Sequence, residues 1–361
     1  MNEKEGYLTL RRLLTVLLIL FAILCSAIIL CPLVGSVKID LRQVFWGASI
    51  EEGNIDSAIF FKTRLPRVFL AVIVGASLSV AGCTFQALLR NPLATPYILG
   101  ISSGGTFGVV LMILLGLSGE FYGIPTNFFV AFAFSLSAVM FVFYLSKVKG
   151  NISTATMLLA GVTVNFFFAS LILLLQYLSN PAQSFQMIRW MMGGVDAVDF
   201  QPVKIAGLFS LPGIIIILLL SKNLNLISVD VVYAAQVGVD VDKTRKIAFF
   251  ASSILTAATI SVCGPIGFVG LIVPHLLRLM IGSDHRLLMP ACAIFGGTFL
   301  LICDTIGRSL GGILTLFNLS GIFGSGYSQI EIPVGIITSM CGAPFFIFLL
   351  LKRKREGGYL E

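Results

Sequence analysis

Charge is what this sequence lacks. Of 361 residues, 11% are charged and 57% hydrophobic, against roughly 25% charged in a soluble domain. That shortage excludes a soluble globular protein, which would need polar groups to cover its surface. The deficit is patterned. No Asp, Glu, Lys or Arg occurs in 13–37, 68–89, 91–119, 121–146, 150–188, 205–221, 247–277, 287–303, 309–330 or 332–351. Most of these runs reach the ~20 residues that a helix needs to cross hydrocarbon. Lipid offers the backbone no hydrogen-bond partner, so the spans are predicted to be helices. A β-barrel would show alternating segments of about 10 residues, and the long unbroken runs exclude it.

Chemistry-bearing groups are also scarce. The seven cysteines form no CxxC pair and read as small apolar residues. His275 and His285 are the only histidines and have no carboxylate or thiol cluster to complete a metal site. The Gly-rich run Leu99 to Gly105 lacks the Gly-Lys-Ser/Thr of a phosphate loop and follows no strand, which excludes ATP hydrolysis by that motif. The net charge of +7 forms no basic stripe, so no nucleic-acid partner is expected; Lys352 to Arg355 reads as a membrane anchor. The first apolar run exceeds a signal-peptide core and is read as a retained span over 13–34.

What is present sits between the runs. Arg64-Leu65-Pro66-Arg67 opens a span in which Ala71, Gly75, Ser79 and Cys83 recur every four residues, a spacing that lets another helix approach closely. Asn91-Pro92 reads as an N-cap and first-turn proline, predicting a helix restart at Pro92. In the loop 222–246, Asp230 can cap a short helix over Val231 to Val237, with Gly238 as its stop, and Asp240 or Asp242 can cap the next span. Asp284 is expected to cap the helix after it. Two topologies fit. In the first, 244–282 is two short helices broken around Gly264-Pro265-Ile266-Gly267, and 309–330 is an outside loop; its glycines make it a poor straight helix. In the second, 247–277 and 309–330 are each one span. Both give ten spans with both termini inside and place most of the 24 Lys and Arg inside, the first slightly more.

The ordered set of motifs resembles the FecCD-type permease family of ATP-binding-cassette importers, which carry ferric siderophores, haem and cobalamin. It comprises Arg64 to Arg67, Gln86 to Pro96 with Leu99-Gly100, Trp190 to Gly194, Gly267 to His275, Ser283 to Arg286, and Glu331 to Gly335 through Gly342-Ala343-Pro344. The cobalamin-importing members are an especially close likeness. The resemblance implies an all-α integral membrane fold of the type II importer class, with ten transmembrane helices in one domain over 1–361, and a homodimer enclosing the pathway. It favours the first topology. It implies that Arg64, Arg67 and Arg308 meet glutamates of an extracytoplasmic binding protein, where opposite charges set orientation more than affinity. It places a cytoplasmic gate at Asn91 and Leu93 and a second constriction at Thr154 and Ala155. It implies that Asp230, Val231, Val232, Tyr233, Ala234, Ala235, Gln236, Val237 and Gly238, within 229–242, couple to two cytoplasmic ATPase subunits. Those subunits hold the ATP and magnesium, so no cofactor is assigned to this chain. The setting implied is a prokaryotic cell membrane crossed many times.

Two departures stand out. Asp230-Val231 occupies the place where the family usually has Gly and an acid, and the stretch from Arg308 to Glu331 is longer than in the cobalamin permease, suggesting an outer insertion over about 305–330. An ion-coupled transporter would need ionisable groups at mid-span, and a membrane enzyme would need clustered acids, histidines or a nucleophile–base pair. The mid-span regions contain neither.

Overall fold

The computed structural model describes residues 9–47, 50, 53–148, 151–316 and 331–355. The chain is helical almost throughout. α1 (Leu10–Leu30) is followed by α2 (Leu41–Trp46) and α3 (Ile55–Ala58). α3 runs through a π-helical turn, Ile59–Arg64, into α4 (Leu65–Leu89). α5 (Ile101–Leu114), α6 (Thr126–Leu145), α7 (Thr154–Leu178), α8 (Pro181–Met191) and α9 (Gln201–Val229) come next. The short α10 (Val231–Gln236) precedes α11 (Val241–Cys263), α12 (Val269–Ile281), α13 (His285–Leu316) and α14 (Val334–Arg355). Two-residue hairpins join α5 to α6 (Glu120–Phe121 with Ile124–Pro125) and α6 to α7 (Lys147–Val148 with Asn151–Ile152). Among the described residues, seven helices are long and apolar enough to cross a membrane, and Ile101–Leu114, Val269–Ile281 and Val334–Ile347 are shorter apolar helices.

α4 is the axis of the bundle and packs against α9, α11, α12 and α13. Small residues make this packing close. Gly75 lies against the backbone of Gly296, and Gly82 against that of Gly270. Ala71, Ser79 and Cys83, on the predicted stripe with Gly75, are fully buried. Without hydrophobic drive between helices in lipid, such backbone contact supplies much of the association. α1 and α7 are the opposite case: 17% of the most apolar window of each is buried, and large side chains such as Leu18, Phe166 and Leu174 face outward. Apolar faces of this extent need lipid or another protein surface.

α11 and α12 are separate helices, broken where predicted. Gly264 and Phe268 both take positive φ, 67° in each case, and Pro265 between them has no N–H to donate. α11 has 23 residues, so it is a full-length helix and not the short one expected. Two further expectations are corrected. No helix restarts at Pro92. Residues 91–95 form a turn in which the Asn91 side chain accepts from Leu93 N at 2.9 Å, a 3₁₀ turn covers Pro96–Leu99, and α5 begins after Gly100 at φ 81°. Pro96 forces Thr95 into extended backbone, which a helix from Pro92 could not accommodate. The outer loop also starts later than 305 or 309. α13 continues through Gly311 and Gly312 to Leu316, although each glycine costs a helix about 1 kcal/mol. The rest of the expected insertion, 317–330, lies outside the described residues.

Candidate functional site

Polar chemistry concentrates at the two ends of α4. At its N-terminal end three arginines converge. Arg67 grips Asp304 of α13 with two nitrogens, Nε at 3.0 Å and Nη2 at 2.9 Å from Oδ1. Its Nη1 donates to Glu331 at 2.5 Å and stands 3.7 Å from Asp196. Arg308, one turn after Asp304, donates Nε to its other oxygen at 3.0 Å and reaches the carbonyls of Val34 and Cys31. Arg64 donates to Pro32 O at 2.8 Å and to Val37 O. The chain between α1 and α2 thus lends its carbonyls to two guanidiniums.

The docking role that the resemblance implies for Arg64, Arg67 and Arg308 falls on buried side chains. They are 5%, 6% and 2% exposed, so they do not stand outward as free docking charges. Asp304 and Glu331 match the charge of Arg67, and Asp304 that of Arg308, inside the chain, as a buried ion requires; the hydrogen bonds of Arg64 go to carbonyl oxygens. The cluster shows carboxylates to the outside instead: the Glu331 side chain is 41% exposed and that of Asp196 62%. Asp304, whose side chain is wholly buried, was missed as the hub. Its only sequence signal is the (i, i+4) acid–base spacing with Arg308.

At the other end of α4 the predicted coupling segment takes shape. Asp230 caps α10 by accepting from Tyr233 N at 2.7 Å, and Asp240 caps α11 by accepting from Lys243 N at 3.0 Å. Gly238 turns the chain at φ 89°. Ala234 packs inward, while Val232, Tyr233 and Val237 are exposed. The helix ends one residue earlier than predicted, at Gln236. Val231 is half-buried, and Ala235, Gln236 and Gly238 are exposed.

The predicted gate residues lie at this end in two places. Thr154 and Ala155 are exposed at the start of α7, where Ser153 caps the helix. Thr154 lines a cavity of about 400 Å³ with Leu88, Leu89, Phe143 and Arg245. Asn91 lines a different cavity, and Leu93 is exposed beside it. What ties the two segments together is Asn165 on α7, also missed. It donates to Tyr97 O and Ile98 O, both at 3.0 Å, and accepts from Ser103 at 2.7 Å. Nearby, Asp284 accepts from Arg286 N as the predicted cap and is bonded at 2.6 Å by its guanidinium. That hydrogen bond holds the Asp284 carboxyl below the usual carboxylate range. Among the described residues no three His, Cys, Asp or Glu side chains stand together as metal ligands.

A helical membrane protein with a capped surface helix at one end of its bundle and a buried ion cluster at the other has the layout of a transporter's membrane subunit. The chain belongs to the FecCD transport family, whose profile matches residues 18–352. It is 35% identical over 347 residues to the hemin transport system permease protein HmuU of Yersinia pestis, covering 96% of this chain and 97% of that one. It is 35% identical over 298 residues to the vitamin B12 import system permease of Klebsiella pneumoniae, with 82% and 83% covered. A solved structure of a metal-chelate type ABC transporter in an inward-facing conformation superposes with a TM-score of 0.76 at 30% identity, covering 94% of this chain and 99% of that one. The chain is therefore a permease subunit of an ABC importer and not itself an enzyme.

Proposed function

We propose that this chain forms, as a homodimer of ten-helix subunits, the pathway for a metal chelate (ferric siderophore, haem or cobalamin) in a prokaryotic cell membrane, with both termini in the cytoplasm. The relatives that carry hemin and vitamin B12 support this cargo class. The observation that carries the coupling reading is α10. It is a capped helix of six residues that leaves Val232, Tyr233 and Val237 exposed beyond the bundle. Such a knob suits a groove on each of two ATPase subunits, which would supply ATP and magnesium and move the gate segments as rigid bodies.

The extracytoplasmic binding protein would sit over the opposite end, where Arg67 holds Glu331 at its half-exposed rim. A carboxylate arriving on the partner would compete with Glu331 for Arg67 Nη1, so Arg64, Arg67 and Arg308 would act from within the cluster. Glu331→Gln tests this without burying a new charge. Binding-protein affinity should rise when the internal competitor is lost, by microscale thermophoresis in nanodiscs. Weaker binding would show that Glu331 itself meets the partner and would overturn the exchange. For cargo, the binding protein that copurifies with the transporter should hold an iron chelate or a cobalamin by mass spectrometry. A sugar or amino acid in that site would refute the chelate reading.

A further inference from the structure

Beside the root of α10 lies a cavity of about 940 Å³, to which the transport reading assigns the gate residue Asn91 but no ligand. Its walls come from α1, the C-terminal end of α4, the end of α9, the end of α12 and the turn into α13. Four arginines line it, Arg12, Arg90, Arg278 and Arg286, against one aspartate, Asp284. Asp284 is committed to Arg286 through both carboxylate oxygens, so that pair cancels. Arg90 donates to Ile227 O at 2.9 Å and Arg278 to Gln86 Oε1 at 3.0 Å. Carbonyl and amide oxygens satisfy an N–H but carry no countercharge. Each guanidinium has five donors in a planar fork, and the hydrogen bond each of these two makes within the concavity goes to a neutral partner. His285, 5% exposed, lines the same wall. Its Nδ1 meets Asn225, and its Nε2 has no hydrogen-bond partner among the described residues.

Arg12 belongs to the wall that α1 contributes. It sits in the first turn of α1, the helix whose apolar face is left outward, and donates to Ile281 O at 3.2 Å. In the topology proposed above, the first turn of α1 lies at the cytoplasmic face, which would bring this wall of the cavity to the level of lipid headgroups. The cavity's volume is that of a small-molecule site, typically about 300–1,000 Å³. Forked guanidiniums bind carboxylates and phosphates in bidentate fashion, and of these two the membrane surface presents phosphate.

We propose that this cavity binds a phosphate group, carried by an anionic phospholipid of the adjoining leaflet or by a small soluble phosphate. A bound phosphate would bridge Arg90 on α4 and Arg278 on α12, next to the carbonyl that ends α9. It would fix the root of α10 to the segment that begins at Asn91. This inference does not depend on the cargo or on the partner assignments above.

The test uses full-length protein in phospholipid-free detergent. Phosphatidylglycerol and phosphatidylcholine of equal chain length are titrated and followed by native mass spectrometry. In parallel, sodium phosphate is compared with sodium chloride at matched ionic strength by thermal unfolding. Phosphatidylglycerol retained about 25-fold better than phosphatidylcholine identifies a lipid headgroup, at roughly five-fold for each of the two arginines engaged. Stabilisation by phosphate without a lipid preference identifies the soluble source. No preference in either arm overturns the proposal, and these arms need no variant to fold. Arg90→Gln with Arg278→Gln should abolish whichever preference is seen; an unchanged preference in that variant also overturns it.

Discussion

Asp304→Ala is the perturbation with the largest effect to be derived from the ion cluster. The Asp304 side chain is fully buried and takes Arg67 at 2.9 Å and Arg308 at 3.0 Å. Removing it leaves Arg67 with Glu331, but leaves Arg308, its side chain 3% exposed, with carbonyl and hydroxyl oxygens alone. Breaking a buried pair from one side costs about 3–5 kcal/mol, since the orphaned ion stays desolvated. Glu331→Gln should differ sharply. Its carboxylate is 41% exposed, and a solvent-screened pair is worth about 0–1 kcal/mol. The native thiols give the assay. Cys83, Cys263 and Cys292 are buried, so a thiol-reactive fluorophore reports unfolding in detergent without added labels. Asp304→Ala should unfold at a clearly lower temperature than wild type, and Glu331→Gln close to it. Combining Asp304→Ala with Arg308→Met should recover part of the loss, because the orphaned charge leaves with its partner. A single Asp304→Ala as stable as wild type, or less damaging than Glu331→Gln, would refute the view that internal charge matching holds these arginines.

Gly82→Val should cost about 3 kcal/mol or more, because a Cβ there would fall 2.5 Å from Gly270 Cα, and backbone cannot step aside; monodisperse protein on size exclusion at wild-type yield would contradict this. Asp230→Ala removes the cap of α10 at about 1 kcal/mol, all of it local. The unfolding midpoint should barely move while transport by the assembled importer falls several-fold, and unimpaired uptake would refute a coupling role for this helix. A cysteine at Tyr122, in the exposed hairpin between α5 and α6, should react with an impermeant maleimide from outside intact cells. Reaction only after lysis would invert the proposed topology.

Much of the architecture was legible because its signals are local. Charge-free runs mark the helices, Asp230, Asp240 and Asp284 announce caps a few residues away, and Gly264-Pro265 breaks its own helix. The small-residue stripe from Ala71 to Cys83 also stated its purpose, since only close packing needs it. The destination of the arginines was not legible. Arg67 finds Asp304 237 residues away, and a charged side chain read singly is placed in water. Asn165 was silent for the same reason, its acceptors being backbone carbonyls of a segment far along the chain. Asn91 misled because an Asx turn and a helix cap use the same side-chain acceptor, and Pro96 decided between them.

The break between α11 and α12 has one further consequence. Gly194 N donates to Cys263 O at 2.8 Å, and Gly335 N to Gly193 O at 3.1 Å. The Tyr97 hydroxyl donates to Ile266 O at 2.7 Å and accepts from Ile266 N at 3.0 Å. Irregular backbone is tolerated at membrane depth only when protein groups satisfy it, and here all but one of those groups are main-chain atoms. The neighbouring side chains of Met191, Met192, Ile336 and Met340 edge an open apolar recess and carry none of these bonds. Larger, smaller or more polar side chains at these four positions would leave those bonds in place, so the recess can be recut without loosening the frame that borders it.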